Sequence, residues 1–171
     1  MQKTGILEIE IVIPKSKSEI ADGRALNYEY VEELGAQPLL KPYFEMQKFD
    51  GEIDLMPRGY EPPDGAYLIA YVNRVAAGTV AVRRLNETTC EMKRLYVRPA
   101  FQGLGLGRQL AERAIAEATN LGYAWMRLDN SRSVMAKANA LYKSLGFYEI
   151  EPYNGNFVAD AYFMEKKLVE S

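Results

Sequence analysis

Apolar positions recur along this chain with two different periods, and the change from one to the other predicts most of its elements. Residues 6–13, Ile-Leu-Glu-Ile-Glu-Ile-Val-Ile, alternate in part and are β-branched, so a strand is expected there, ended by Pro14. Ser18 followed by Glu19 predicts the start of a helix, in which Ala25, Tyr28, Val31 and Leu34 recur at helical spacing up to a stop at Gly35. Pro38 and Pro42 break the next stretch, with a short helix expected around residues 43–48. Residues 56–65 are rich in Pro and Gly and read as a loop, a candidate for substrate contact.

Residues 66–72, 75–84 and 91–97 read as strands separated by turns at Asn73-Arg74 and Asn86-Glu87-Thr88, with Gly78 marking a bulge or a close approach. These runs lie too close together for helical crossovers, so an antiparallel meander is expected. The period then becomes helical: Leu106, Leu110, Ala114, Ala118 and Leu121 form one apolar stripe, and Gly122 stops it. A strand over 124–128 ends at Asp129. A second helix buries Met135, Ala138, Leu141 and Leu145 and closes at Gly146; strands over 147–150 and 161–168 complete the chain.

Composition narrows the chemistry. A length of 171 residues suggests a single domain, 1–171, with a substantial core. The net charge of −2 supplies no basic field for nucleic acid. No run approaches the roughly 18 apolar residues of a membrane span, and the N-terminus lacks a signal-like apolar block, so a cytoplasmic location away from membranes is expected. Histidine is absent and Cys90 is the one cysteine. That removes a Ser-His-Asp triad, a Cys-His pair and any His-containing metal site, and no metal is expected. Acid–base chemistry falls to Asp, Glu, Tyr, Lys, Cys or the N-terminus. Cys90, with no histidine to activate it, reads as an inert apolar side chain.

The distinctive chemistry lies at Gln102-Gly103-Leu104-Gly105-Leu106-Gly107, a glycine loop opening into the first amphipathic helix of the second half. Glycines let backbone N–H groups approach an anion, and the helix adds its free N–H groups and dipole, with Arg108 in the first turn. A nucleoside triphosphate would need Gly-Lys-Ser/Thr, which is absent. A dinucleotide on a doubly wound sheet would use Gly103 and Gly105, with Asp129 near the ribose position about 20 residues on. Yet Arg108 stands where its third glycine belongs, and Glu91, Lys93 and Arg94 are unlike a buried parallel strand.

The third candidate is coenzyme A. The loop fits the Gln/Arg-x-x-Gly-x-Gly/Ala signature of the GCN5-related N-acetyltransferases, the GNAT family. Arg94-Leu95-Tyr96-Val97-Arg98-Pro99 before it resembles that family's fourth strand. Ala138 and Leu141-Tyr142-Lys143-Ser144-Leu145-Gly146-Phe147 after it resemble the family's A-x-x-LY-x-x-x-GF segment. The resemblance covers residues 91–147; upstream only the element order is similar. It implies an α/β (α+β) fold: a mixed, mostly antiparallel sheet of six to seven strands flanked by about four helices, with strands four and five splayed.

The same resemblance implies site residues. Backbone groups of Leu95, Tyr96 and Val97 would pair with the pantetheine arm and hold the thioester carbonyl. The loop N–H groups of Gln102, Gly103, Leu104, Gly105, Leu106, Gly107 and Arg108 would hold the pyrophosphate. Tyr142 would protonate the departing thiolate; a phenol of pKa ~10 faces only a modest uphill transfer to a thiolate of pKa ~8.5. Many relatives carry Asn where this chain has Met135, and Asn139, one turn on, is the candidate replacement. Glu91 is the candidate base, with Asp129 and Asp160 as weaker ones. The implied activity is transfer of acetyl from acetyl-CoA, the cosubstrate, to a primary amine of an unidentified small molecule, amino acid or peptide; a catalytically silent acyl-CoA-binding module on the same fold is the alternative. Residues 56–65, the first helices and 153–160 would line the acceptor pocket; their Glu61, Asp64, Tyr153, Asn154 and Asp160 could receive a cationic amine, although most of them read as solvated loop residues. A homodimer is a frequent assembly among similar proteins.

Overall fold

The computed structural model describes residues 5–47 and 49–169. Seven strands, β1 (Ile9–Val12), β2 (Ala66–Val72), β3 (Val75–Arg84), β4 (Thr89–Val97), β5 (Trp125–Ser131), β6 (Tyr148–Glu149) and β7 (Ala161–Lys167), form one sheet in the order β1-β2-β3-β4-β5-β7-β6. All neighbours are antiparallel except β4 and β5. The helices are α1 (Lys17–Gly35), α2 (Lys41–Gln47), α3 (Phe49–Leu55), α4 (Leu106–Asn120) and α5 (Ala136–Ser144). The expected mixed sheet and meander are therefore present, with five α-helices among the described residues where about four were expected.

The β2–β3 hairpin turns at Asn73 and Arg74, both left-handed at φ +48° and +67°, which matches the right-handed twist of the flanking strands. On one face of the sheet, Leu106, Leu110, Ala111, Ala114 and Ala118 of α4 pack over Leu68, Ala70, Val80 and Met126. Burying a leucine such as Leu110 contributes about 1.5–3 kcal/mol. On the other face, Leu26 of α1 and Ile53 of α3 pack over Tyr67, Ile69 and Ala81.

The sequence pattern misplaced several details. The α1 cap is Ser16, not Ser18: its Oγ accepts from Glu19 N–H while Glu19 reaches back to Ser16 N–H, closing a capping box. The α1 contact face is Gly23, Leu26 and Asn27, and Ala25 and Tyr28 are exposed. The reason is steric and polar: a Cβ at Gly23 would lie 2.4 Å from Tyr67 Oη, and Asn27 Nδ2 donates to that same oxygen at 2.7 Å. Pro42 does not break the chain but sits in the first turn of α2, where its missing N–H is harmless. Lys48, placed in the expected short helix, lies outside the described residues. The α3 helix went unrecognised, and β5 runs two residues beyond Asp129, to Ser131. In α5 the buried side chains are Asn139 and Tyr142, while Met135, Ala138, Leu141 and Leu145 are only half buried.

Candidate active site

The site begins where the sheet stops pairing. Strands β4 and β5 run parallel in register only from Thr89–Trp125 to Glu91–Arg127. Beyond that they part, so the β5-facing edge of β4 is left without a strand. On its other edge, β4 carries one extra residue: Tyr96 pairs Thr79 but Lys93 pairs Ala81. The extra residue is accommodated as a bulge with Arg94 left-handed at φ +58°. A non-glycine residue there costs about 1–3 kcal/mol, and such strain gathers at functional sites. The bulge lies immediately before Leu95, Tyr96 and Val97, of which Tyr96 and Val97 pair with Thr79 and Gly78 of β3. Gly78 lies opposite Val97, where a Cβ would come 2.8 Å from Tyr96 O, so the close approach expected at this glycine is present.

The glycine loop follows the end of β4. Gly103 and Gly105 are left-handed at φ +84° and +79°. The first intrahelical bond of α4 runs from Gln109 N–H to Gly105 O at 3.1 Å, so the N–H groups of Leu106, Gly107 and Arg108 have no helical partner. No side chain caps them, in contrast to the full capping box on α1. Gln102 Nε2 donates to Val97 O at 3.1 Å and ties the loop to the end of β4. Leu104 is exposed, and Arg108 reaches Glu112 and Ser144 from the helix surface. Open N–H groups, an N-terminal dipole end and a neighbouring cation together favour an anionic group.

A cavity of about 300 Å³ continues from the gap. Tyr142 lines it, buried, with its ring edge-on to Phe147 at 5.7 Å. Burial raises its phenol above the ordinary value, with Tyr30 adding to the shift, so it stays protonated. Asn130, at the end of β5, also lines the cavity; its amide N and O are both buried and unpartnered among the described residues. A buried amide without partners costs roughly 1–3 kcal/mol, and a ligand amide would relieve that cost. The sequence reading missed Asn130 because it ended β5 one residue earlier. Asn139 is not at the cavity wall: its Nδ2 donates to Ser131 O at 3.2 Å and Arg132 O at 3.4 Å, and its Oδ1 is buried without a partner. Met135 does line the cavity.

The polar wall is an ion-pair chain. Glu91 is fully buried. Its Oε1 accepts from Arg83 Nη2 at 2.8 Å and Lys93 Nζ at 3.3 Å, and its Oε2 accepts from Tyr153 Oη at 2.6 Å. Lys93 Nζ also lies 3.3 Å from Asp129 Oδ1, and Asn156 Nδ2 donates to Asp129 Oδ2 at 2.8 Å. Burial alone would raise the Asp129 carboxyl, but Lys93 and the two asparagines, Asn156 and Asn154, hold it below the ordinary range. Arg83, Lys93 and Asp129 reach the cavity surface; Glu91 lies behind them. Asp160 is elsewhere: it accepts from the Ser131 and Ser133 hydroxyls and Ser133 N–H, fixing the end of β5. Glu61 and Asp64 also lie off the cavity, whereas Asn154 lines it. Cys90 is buried in the core, and burial pushes its thiol up to about 12, which leaves it inert.

Comparison with known proteins agrees with this geometry. A family model described as an acetyltransferase (GNAT) domain matches residues 63–149. A Schizosaccharomyces pombe protein named as an uncharacterized N-acetyltransferase is 36% identical over 162 residues, covering 94% of this chain and 95% of its own. Among solved structures, a putative acetyltransferase from Salmonella typhimurium with its cofactor acetyl-CoA superposes with a TM-score of 0.66 at 24% identity, over 95% of each chain. The PaiA N-acetyltransferase from Thermoplasma acidophilum, in complex with coenzyme A, gives 0.70 at 20% identity, over 94% of this chain and 99% of its own. With its splayed strands, bulge and uncapped glycine-loop helix in register with the matched segment, the chain belongs to the GNAT family of acetyltransferases.

Proposed function

We propose that the protein transfers an acetyl group from acetyl-CoA directly to a primary amine. The observation that carries this reading is the parting of β4 and β5 beyond Glu91, together with the uncapped N-terminus of α4 on the loop that Gln102 ties to the end of β4. A pantetheine arm is a chain of amides, and the gap offers it an unpaired strand edge on one side and the unpartnered Asn130 amide on the other. The loop N–H groups suit its pyrophosphate. The acetyl-CoA and coenzyme A in two structural neighbours support the same assignment.

The coenzyme supplies an activated acetyl thioester. Bulge N–H groups around Leu95 polarise its carbonyl, which is where negative charge develops. The amine nitrogen forms the new C–N bond as the C–S bond breaks. Tyr142 gives its proton to the leaving thiolate and is reprotonated from solvent, which takes the proton that the amine loses. Tyr142 suits this role because it is protonated, at the cavity wall and free of any hydrogen-bond acceptor among the described residues.

We assign Glu91 a positioning part rather than that of the base. With both oxygens engaged and no cavity surface, it acts by holding Arg83, Lys93 and Tyr153 in place. The ionised Asp129 is the carboxylate that meets the incoming ammonium.

Calorimetry with acetyl-CoA, coenzyme A and NADH, followed by thiol-release assays with an amine panel, tests the reading. Binding of the two CoA species but not NADH, with amine-dependent thiol release, is expected. Failure of acetyl-CoA to bind overturns it.

A further inference from the structure

Beyond the thioester position the cavity wall carries Arg83, Lys93 and Arg94 with Glu52 and Asp129 beside them, and Glu91 just behind. Each cation has its carboxylate: Arg94 Nη2 lies 3.0 Å from Glu52 Oε2, Lys93 3.3 Å from Asp129, and Arg83 2.8 Å from Glu91. The charges cancel. A site for a purely cationic amine would need carboxylates in excess, and a site for an anion would need spare cations.

Arg94 is the unusual member. It occupies the strained bulge position immediately before Leu95, so its side chain starts one residue from the proposed thioester site. That side chain is 5% exposed, with the guanidinium 5.1 Å from the Phe49 ring centroid. Among the described residues its partners are few for five N–H donors: Asn27 Oδ1 at a long 3.4 Å, and Glu52. Glu52 is itself 38% exposed and also accepts from Tyr60 Oη, so it is free to give up its share of the guanidinium. A planar fork with vacant donors, buried at the wall of a cavity, fits a carboxylate.

Aromatic rings form another part of the wall: Tyr43, Phe44 and Phe49 line the cavity and touch in a run, and Tyr43 packs edge-on against Phe157 of the β6–β7 segment at 5.6 Å.

Taking the acetyltransferase reading as its basis, we propose that the acceptor is a small zwitterion, a free amino acid, whose carboxylate is held by Arg94 and whose amine faces Asp129 and the thioester. A zwitterion adds one charge of each sign and leaves the balanced wall balanced.

The experiment compares, on the full chain with acetyl-CoA, each of the common amino acids with its carboxamide and its decarboxylated amine. Coenzyme release is the readout, and short peptides serve as a further set. At least one amino acid should be acetylated with kcat/KM about 100-fold above its carboxamide, because a buried polar site rejects a ligand that leaves it unpaired. Arg94→Lys should shrink that ratio about tenfold, chiefly through KM. The substrate comparison stands even if that variant folds poorly. Carboxamides, simple amines or peptides used as well as the free amino acids would overturn the inference, as would acetyl-CoA binding with no amino acid accepted. Absence of acetyl-CoA binding would instead overturn the acetyltransferase reading beneath it.

Discussion

Glu91 and Asp129 stand on neighbouring strands and share one cation, Lys93, whose Nζ lies 3.3 Å from each. Burial opposes the charge on Lys93, yet the two carboxylates raise its pKa above the ordinary lysine value, while the same contact helps to lower that of Asp129. Both shifts favour the ionised pair. Its stabilisation is full between the ordinary values of 3.8 and 10.5, fades as pH falls through the depressed Asp129 value, and fades at the alkaline end as pH rises through the raised Lys93 value.

Lys93→Met should therefore cost about 3 kcal/mol at pH 7, because it leaves buried Asp129 with only its asparagine partners and Glu91 with Arg83 alone. Protonation relieves stranded carboxylates, so the deficit should narrow towards pH 4. Urea unfolding at the two pH values measures both effects. A deficit that does not change with pH would mean that packing, not charge, is what Lys93 supplies.

Tyr142→Phe should lower kcat by about 100-fold with little change in acetyl-CoA affinity, since the ring and its contact with Phe147 remain and the proton is lost. With the wild-type phenol raised by burial, its own titration should not appear below pH 10 in the rate profile. Steady-state kinetics beside calorimetry separate the two quantities, and unchanged turnover would remove Tyr142 from the reaction.

At Gly105 a Cβ would meet nothing within 4 Å, yet φ is +79°. Gly105→Val should thus act through the backbone: a β-branched residue resists the left-handed conformation, the loop turns elsewhere, and the N–H groups lose their common target. Calorimetry should show coenzyme affinity lower by at least about tenfold. Wild-type affinity would mean that the loop does not hold the pyrophosphate.

Replacing Glu91 by Gln keeps its shape and removes the charge that holds Arg83 and Lys93. Turnover per encounter should fall about tenfold through misplacement of the wall. The acid limb of the pH–rate profile should persist, because the proposed mechanism gives Glu91 no proton to take. Disappearance of that limb would restore Glu91 as the base.

The two regular periods made the meander and α4 legible in the sequence, since burial on one face writes itself directly into residue order. The glycine loop and Tyr142 were legible through their motif. Arg94 was not, because a bulge is a mismatch between two strands and leaves no mark in either alone. α1 misled for a related reason. Its contact face contains Gly23 and Asn27, a space and a hydrogen bond, neither of which registers as hydrophobic. Asn139 read as a ligand contact from its helical position, but its amide is held by carbonyls at the end of β5 that sequence spacing does not reveal.

The gap between β4 and β5 makes the folded sheet an incomplete object. Its interior edge has main-chain groups without a strand, the kind of edge that elsewhere draws in another chain, yet here helices and loops wall it off. A ligand that fills the gap acts as the missing strand, and only the native state offers it that place. Folding and cosubstrate supply are then coupled by mass action: a coenzyme at about 100 times its dissociation constant adds about 2.7 kcal/mol to the native state. Hydrogen exchange should show the far halves of β4 and β5 slowing together when the coenzyme binds, while the β2–β3 hairpin barely changes.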